Sequence, residues 1–192
     1  MGFDLAYRSG VPPWDIGRPQ PALVRLARKG AIHGSVADLG CGTGENAMYL
    51  ASLGLDVLGI DAAPTAIAMA RAKAVARSST ARFLVADALE LELLGQPCDV
   101  AVDVGLFHTF SDRDRARFAT SLWRVLAPGA RYFMLCFSEL QAGEFGPRRV
   151  TQAEIRDTFG HHWRIDSIIE ERFVARLPGG GAHAWLASLT RL

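Results

Sequence analysis

The 192-residue chain has little of what marks a secreted, membrane-spanning or nucleic-acid-tracking protein. Its cysteines are three, Cys41, Cys98 and Cys136, an odd number without C-x-x-C spacing. That argues against a disulfide framework or a cysteine-built metal site, and it fits reduced thiols in the cytoplasm. No uncharged apolar stretch approaches the ~18 residues of a membrane span. The start Met1-Gly2-Phe3-Asp4-Leu5 lacks the basic and apolar regions of a signal peptide. Net charge is +1, and no basic run stands out beyond Arg148-Arg149. No surface for following a nucleic acid is expected, and the natural partner is a small molecule. No repeat, low-complexity segment or linker divides the chain. One domain over residues 1–192 is the expectation, as monomer or homodimer. A chain of this length buries roughly 70% of its unfolded surface and needs no staple.

What is present is glycine at particular places. In Val36-Ala37-Asp38-Leu39-Gly40-Cys41-Gly42-Thr43-Gly44 an apolar run ends in an acid, and three glycines follow at alternate positions before helical sequence. This reads as a strand, a tight turn and a helix start, with backbone open to a ligand. A dinucleotide fingerprint needs G-x-G-x-x-G, and its third glycine would fall where Glu45 stands. A phosphate loop needs Gly-Lys-Ser/Thr, which Gly44-Glu45-Asn46 does not supply. Glu45 would also repel a pyrophosphate. Cys41, inside the loop, is either a reactive thiol or a small space-filler.

Elsewhere the chain alternates. Strands are expected at about 35–39, 56–60, 82–86, 99–102 and 132–137. Helices are expected from Pro19 or Pro21 to Lys29, over 44–53, from Pro64 to about Arg77, and from a Ser111 cap through Leu126, stopped by Pro128-Gly129. Thr151 and Glu154 form a capping box opening a helix to Phe159. Two last strands, about 164–173 and 184–190, flank Gly179-Gly180-Gly181 as a hairpin. Pro12, Pro13, Gly17 and Pro19 leave residues 1–19 irregular. Nearly continuous apolar strands alternating with helices make an α/β fold, a doubly wound, mostly parallel sheet with helices on both faces. Trp163, Trp185 and Cys136 belong to its core, and His161-His162 to its surface.

Three acids close successive strands: Asp38, Asp61 and Asp87. Ligands of open α/β sheets bind beyond such strand ends. Asp61 lies 17 residues past Gly44, near the spacing of ribose-binding acids. Each acid also has a plainer reading as a helix start or cap.

Together, Asp38 to Gly44, Asp61, Val85-Ala86-Asp87-Ala88 and Leu126-Ala127-Pro128-Gly129 resemble successive motifs of the small-molecule class I S-adenosylmethionine (SAM) methyltransferases. The resemblance spans about residues 12–192 and implies a Rossmann-like seven-stranded sheet with an antiparallel C-terminal hairpin. Pro13-Trp14-Asp15-Ile16-Gly17-Arg18-Pro19-Gln20-Pro21 and Asp103-Val104-Gly105-Leu106-Phe107-His108 resemble the thiopurine and tellurite-resistance group. They most resemble bacterial enzymes that O-methylate heterocyclic toxins such as hydroxyquinolones. Two departures are Ala63, where a capping serine is common, and Ala130, in place of a second glycine.

The resemblance implies SAM as methyl donor and S-adenosylhomocysteine as product. Asp38, Gly40, Gly42 and Gly44 would lie against the methionine part, Asp61 and Ala62 at the ribose, Asp87 and Ala88 at the adenine, with Val104 and Trp14 completing the set. Trp14 is either a lid residue of the 1–18 segment or ordinary packing. The segment after strand four lacks the Asn/Asp-Pro-Pro-Tyr/Phe of DNA-base methylation, and Phe137-Ser138-Glu139 lacks the Asp-Asn pair of metal-dependent catechol methylation, so no metal is expected. Direct displacement remains, with His108 and Asp103 as the candidate catalytic residues. His108 would be a general base or a structural residue at the Ser111 helix. The 138–150 loop would line the acceptor side, with Phe107, Phe145 and Arg148 as acceptor contacts. Transfer to oxygen is the main expectation. Sulfur or nitrogen acceptors, a protein or RNA residue, or a non-catalytic SAM-binding subunit are the alternatives.

Overall fold

The computed structural model describes residues 2–94, 97–143, 146–160 and 162–192. One seven-stranded sheet runs β3-β2-β1-β4-β5-β7-β6. Its strands are β1 (Ser35–Leu39), β2 (Asp56–Asp61), β3 (Arg82–Val85), β4 (Cys98–Val104), β5 (Leu126–Phe137), β6 (Trp163–Val174) and β7 (Gly181–Arg191). β1 to β5 pair in parallel, whereas β7 lies antiparallel between β5 and β6. This is the doubly wound sheet with a closing hairpin that the sequence suggests. The described helices are α1 (Phe3–Arg8), α2 (Pro21–Arg28), α3 (Glu45–Ser52), α4 (Pro64–Ala76), α5 (Asp112–Val125) and α6 (Gln152–Phe159).

The apolar runs split by parity, because successive strand residues face opposite sides of a sheet. Val36, Val57, Val100, Val102 and Phe133 pack with α2, α3 and α4 on one face. Ala37, Ile60, Ala101, Tyr132 and Met134 pack with α5, α6 and the 3₁₀ turns Ala88–Leu94 on the other. Trp163, Trp185 and Cys136 are buried in that second layer. Ser111 caps α5 by accepting the Asp114 N–H, and Thr151 with Glu154 closes the capping box of α6.

Two segments depart from the expectation. Residues 3–8 are helical, because the breakers act only from Gly10 onward and Tyr7 packs against Ala63, Ala66 and Met69 near the start of α4. A six-residue helix is marginal alone and depends on such docking. α5 also stops before Pro128: Leu126 is already extended and pairs with Cys98, and the register shifts before Val100 meets Arg131. Pro128-Gly129 therefore sits in an irregularity of β5 rather than at a helix end. His161 lies outside the described residues, and His162 is exposed.

Candidate active site

The strand order reverses between β1 and β4, and a cleft of about 1350 Å³ opens at the carboxyl ends there. Crevices at such reversals are where open α/β sheets hold ligands. The volume exceeds the roughly 300–1,000 Å³ of a pocket for one drug-sized molecule. There is room for a nucleoside-sized ligand and a second small molecule.

Over β1, β2 and β3 the wall is polar. Gly40, Gly42, Asp61, Ala62, Asp87 and Ala88 all line it. Asp61 accepts the Gly42 N–H at 2.9 Å on one oxygen and the Ala63 N–H at 2.8 Å on the other. It thereby ties the glycine loop to the start of α4, and its remaining lone pairs can accept hydroxyl groups. Burial raises its pKa against those two amides. Asp87 accepts the Leu89 N–H at 2.9 Å and stays exposed, so it both caps the 3₁₀ turn and faces the cleft. Cys41 is a space-filler: its thiol is buried against Gly59, and burial raises its pKa.

Asp38 and Gly44 lie behind this wall. A Cβ on Gly44 would meet the Phe83 ring at 2.6 Å, so glycine there allows α3 to start close to the sheet. Asp38 is 1% exposed, and among the described residues neither carboxylate oxygen has a hydrogen-bond partner. Burial and the neighbouring Asp103 push its pKa up to about 7. An orphaned acid under a glycine loop is what a positively charged ligand group would relieve.

The N-terminal segment forms a further side of the cleft. Trp14, Tyr7 and Phe3 line it, with the Trp14 Nε1–H donating to the Tyr7 hydroxyl at 2.9 Å. The segment is latched at both ends. Asp4 accepts the Thr65 N–H at 2.8 Å, supplying the cap that Ala63 cannot. Thr43 Oγ1 donates to Asp15 at 2.7 Å, and Lys73 reaches both Thr43 and Glu45. The Arg176 N–H donates to Pro13 O at 2.7 Å. Asp4 and Tyr7 fall in no local sequence pattern; Asp15 and Thr43 stand inside the two quoted motifs, but their contacts link residues far apart in the chain.

Over β4 and β5 the wall is apolar, with Val104, Leu106, Phe110, Phe137 and Phe173 lining it together with His108. His108 is buried, and its Nδ1 accepts the Phe137 N–H at 3.1 Å. Burial and the charges of Arg115 and Arg149 push its pKa down to about 3. A neutral imidazole with Nδ1 so engaged carries its proton on Nε2, the wrong arrangement for the general base that the sequence suggested. Asp103 does not reach the cleft. It is 0% exposed and accepts from Leu106 N, Phe107 N and the Tyr132 hydroxyl, at 2.7, 2.9 and 3.0 Å. Burial raises its pKa to about 7. Phe107 is likewise core, stacked among Phe118, Phe159 and Arg115 rather than facing an acceptor. Arg148 lines the cleft, but its guanidinium is paired with Asp112 and Glu154. Phe145 lies outside the described residues. Among the described residues no group of three or more His, Cys, Asp or Glu could hold a metal ion, and no helix is long and apolar enough to cross a membrane.

Fold and site together define an α/β domain with a ligand cleft at its topological switch point, acids at three strand ends and a separate apolar half-cleft. Residues 36–129 match the family model described as methyltransferase domain. The chain is 37% identical over 193 residues to a 2-heptyl-1-hydroxyquinolin-4(1H)-one methyltransferase of Mycobacteroides abscessus, covering 94% of this chain and 85% of that one. A solved structure described as "Conversion of a Disulfide Bond into a Thioacetal Group during Echinomycin Biosynthesis" is 39% identical, with TM-score 0.88 over 98% of this chain and 90% of that chain. At 19% identity, Burkholderia thailandensis 1,6-didemethyltoxoflavin-N1-methyltransferase shares the fold, with TM-score 0.70 over 89% of this chain and 76% of that chain. The chain belongs to the class I SAM-dependent methyltransferases and is an enzyme of that family.

Proposed function

We propose that this enzyme moves the SAM methyl to a hydroxyl oxygen of a small aromatic or heterocyclic acceptor, as a single domain working in the cytoplasm. The observation that carries the reading is the split cleft. The β1–β3 half offers carboxylates and loop amides, whereas the β4–β5 half is walled by Leu106, Phe110, Phe137 and Phe173 and suits a flat ring. The hydroxyquinolone methyltransferase that aligns with nearly the whole chain supports the same acceptor class.

When bound, SAM supplies an electrophilic methyl on a sulfonium. The chain's own residues do the rest. Asp61 would accept the ribose hydroxyls, Asp87 and Ala88 would meet the adenine edge, and Gly40 and Gly42 would pass the methionine tail. Asp38 would act from below, as the buried negative charge that a bound cation compensates. Asp103 would act through position alone, pinning the Leu106 and Phe107 amides so that the turn after β4 holds its shape. Trp14 and Tyr7 would shut out water. Positioning of this kind can be worth roughly 7–11 kcal/mol of the barrier.

A second reading, transfer to sulfur, is favoured by the 39%-identical structure, whose description concerns disulfide chemistry. Incubation with SAM and a panel of hydroxyquinolones, phenols, thiols and tellurite separates the two by product mass and methyl position. O-methyl products from the ring hydroxyls are expected; methylation of thiols or tellurite alone would replace this reading with the second.

A further inference from the structure

We infer that His108 is a fixed hydrogen-bond donor to the acceptor's ionised oxygen, and that the site therefore selects hydroxyl compounds that ionise unaided near neutral pH. The inference rests on the oxygen-transfer reading above and adds the acceptor's chemical class.

The geometry begins at the sheet. β4 ends as Val104 pairs with Leu135, and the Gly105 N–H donates to Leu135 O at 2.9 Å. The next β5 amide facing that side, Phe137 N–H, has lost its strand partner. His108 Nδ1 takes it at 3.1 Å. That bond can persist only while Nδ1 is unprotonated, so the ring proton sits on Nε2. Nε2 has no acceptor among the described residues, although the ring lines the cleft. The imidazole is wedged between Phe137 and Phe173, with centroids 4.9 and 5.9 Å away, which fixes where Nε2–H points.

The charges around the ring agree. From α5, Arg115 approaches at 2% exposure; its Nη1 pairs with Glu154 at 3.1 Å, and its Nε and Nη2 have no partner among the described residues. From the 138–150 segment comes Arg149; β5 and β6 present the Phe137 and Phe173 rings. Asp114 and the paired Arg148 also line this half of the cleft. Positive charge that disfavours imidazolium favours a bound oxyanion. Tyr7 and Cys41, also in the cleft, have pKa values pushed well above the usual phenol and thiol ranges by burial. Neither is suited to take a proton at neutral pH.

The balanced step needs no base. A lone pair of the anionic oxygen forms the O–CH₃ bond as the C–S bond breaks, and that bonding pair stays on sulfur. No proton moves, and one positive and one negative charge vanish together. Because the oxygen loses charge on the way, the His108 bond is stronger before transfer than during it. Its removal should raise KM and leave kcat unchanged or slightly higher.

The test uses two isosteres and a series of ring hydroxyls of graded acidity. In His108→Asn, Oδ1 replaces Nδ1 and keeps the Phe137 bond, but no group replaces Nε2–H. In His108→Gln, the amide N replaces Nε2–H and cannot act as a base. A hydrogen bond to a charged group is worth about 1.5–3 kcal/mol. H108N should therefore raise acceptor KM on the order of 10- to 100-fold, and H108Q by clearly less. The acidic limb of kcat/KM should follow each acceptor's own pKa. A readout independent of turnover is the absorbance of the acceptor bound beside S-adenosylhomocysteine. Ionisation should occur at lower pH bound than free in the wild type, and this shift should shrink in H108N. A limb fixed in pH across the series, or equal loss in both variants, would overturn the inference while leaving oxygen transfer standing. Wild-type turnover of thiols alone would overturn oxygen transfer itself.

Discussion

Replacing Gly42 by alanine probes how the N-terminal segment meets the glycine loop. Gly42 has φ +53°, and an added Cβ would lie 2.7 Å from the Tyr7 hydroxyl oxygen, with the Tyr7 Cζ next at 3.8 Å. Two costs arise. Holding alanine in the left-handed region costs roughly 1–2 kcal/mol. Overlap with a hydroxyl held by the Trp14 bond adds about 1 kcal/mol or more, or it pushes α1 off the loop. Tyr7→Phe removes the overlapping atom and leaves an ordinary 3.8 Å contact. A double-mutant cycle therefore separates the terms. Gly42→Ala should cost more in the wild type than in the Tyr7→Phe background, with a coupling of about 1 kcal/mol. SAM affinity, measured by calorimetry, should fall about tenfold in G42A and partly recover in the double variant. Denaturant melts supply the stability arm. Additivity within about 0.3 kcal/mol in both assays would show that Tyr7 does not rest over Gly42, and the geometry of the N-terminal segment would be wrong.

Three further outcomes are expected. Asp61→Asn turns an amide donor toward either the Gly42 or the Ala63 N–H, while its oxygen can accept from the other, and it should weaken SAM binding by about 10- to 100-fold in calorimetry. Asp38, held near pKa 7 in the fold and near 3.8 when unfolded, favours folding below pH ~4; that contribution is lost as pH rises through about 7. Ligand-free protein should thus lose stability between pH 4 and 8, and Asp38→Asn should flatten that loss in melts across the pH range. Thr43→Val removes the donor to Asp15 and a contact of Lys73, and it should loosen the N-terminal segment. Faster hydrogen exchange around Trp14 with β1 unchanged is the expected reading.

The sheet was legible in the sequence because its strands are short apolar runs bounded by acids, glycines and caps. Asp38, Asp61 and Asp87 could be placed at strand ends for the same reason. What escaped depends on contacts between distant residues. α1 forms because Tyr7 finds α4 and Asp4 finds Thr65. Phe107 and Asp103 stand one and five positions before His108 in a plausible acceptor motif. The turn after β4 sends Phe107 into the core and covers Asp103, and of these three His108 alone reaches the cleft. No periodicity encodes which way a three-residue 3₁₀ turn points its side chains. His108 itself was visible as a candidate, but its tautomer is set by a β5 amide, Phe137 N–H, that the sequence does not display.

The most direct measurement is mass spectrometry and NMR of the product after incubating the wild-type enzyme with SAM and a hydroxyquinolone. The account predicts one added methyl on the hydroxyl oxygen and stoichiometric S-adenosylhomocysteine. Tight SAM binding without methylation of any hydroxyl in the acceptor panel would contradict it.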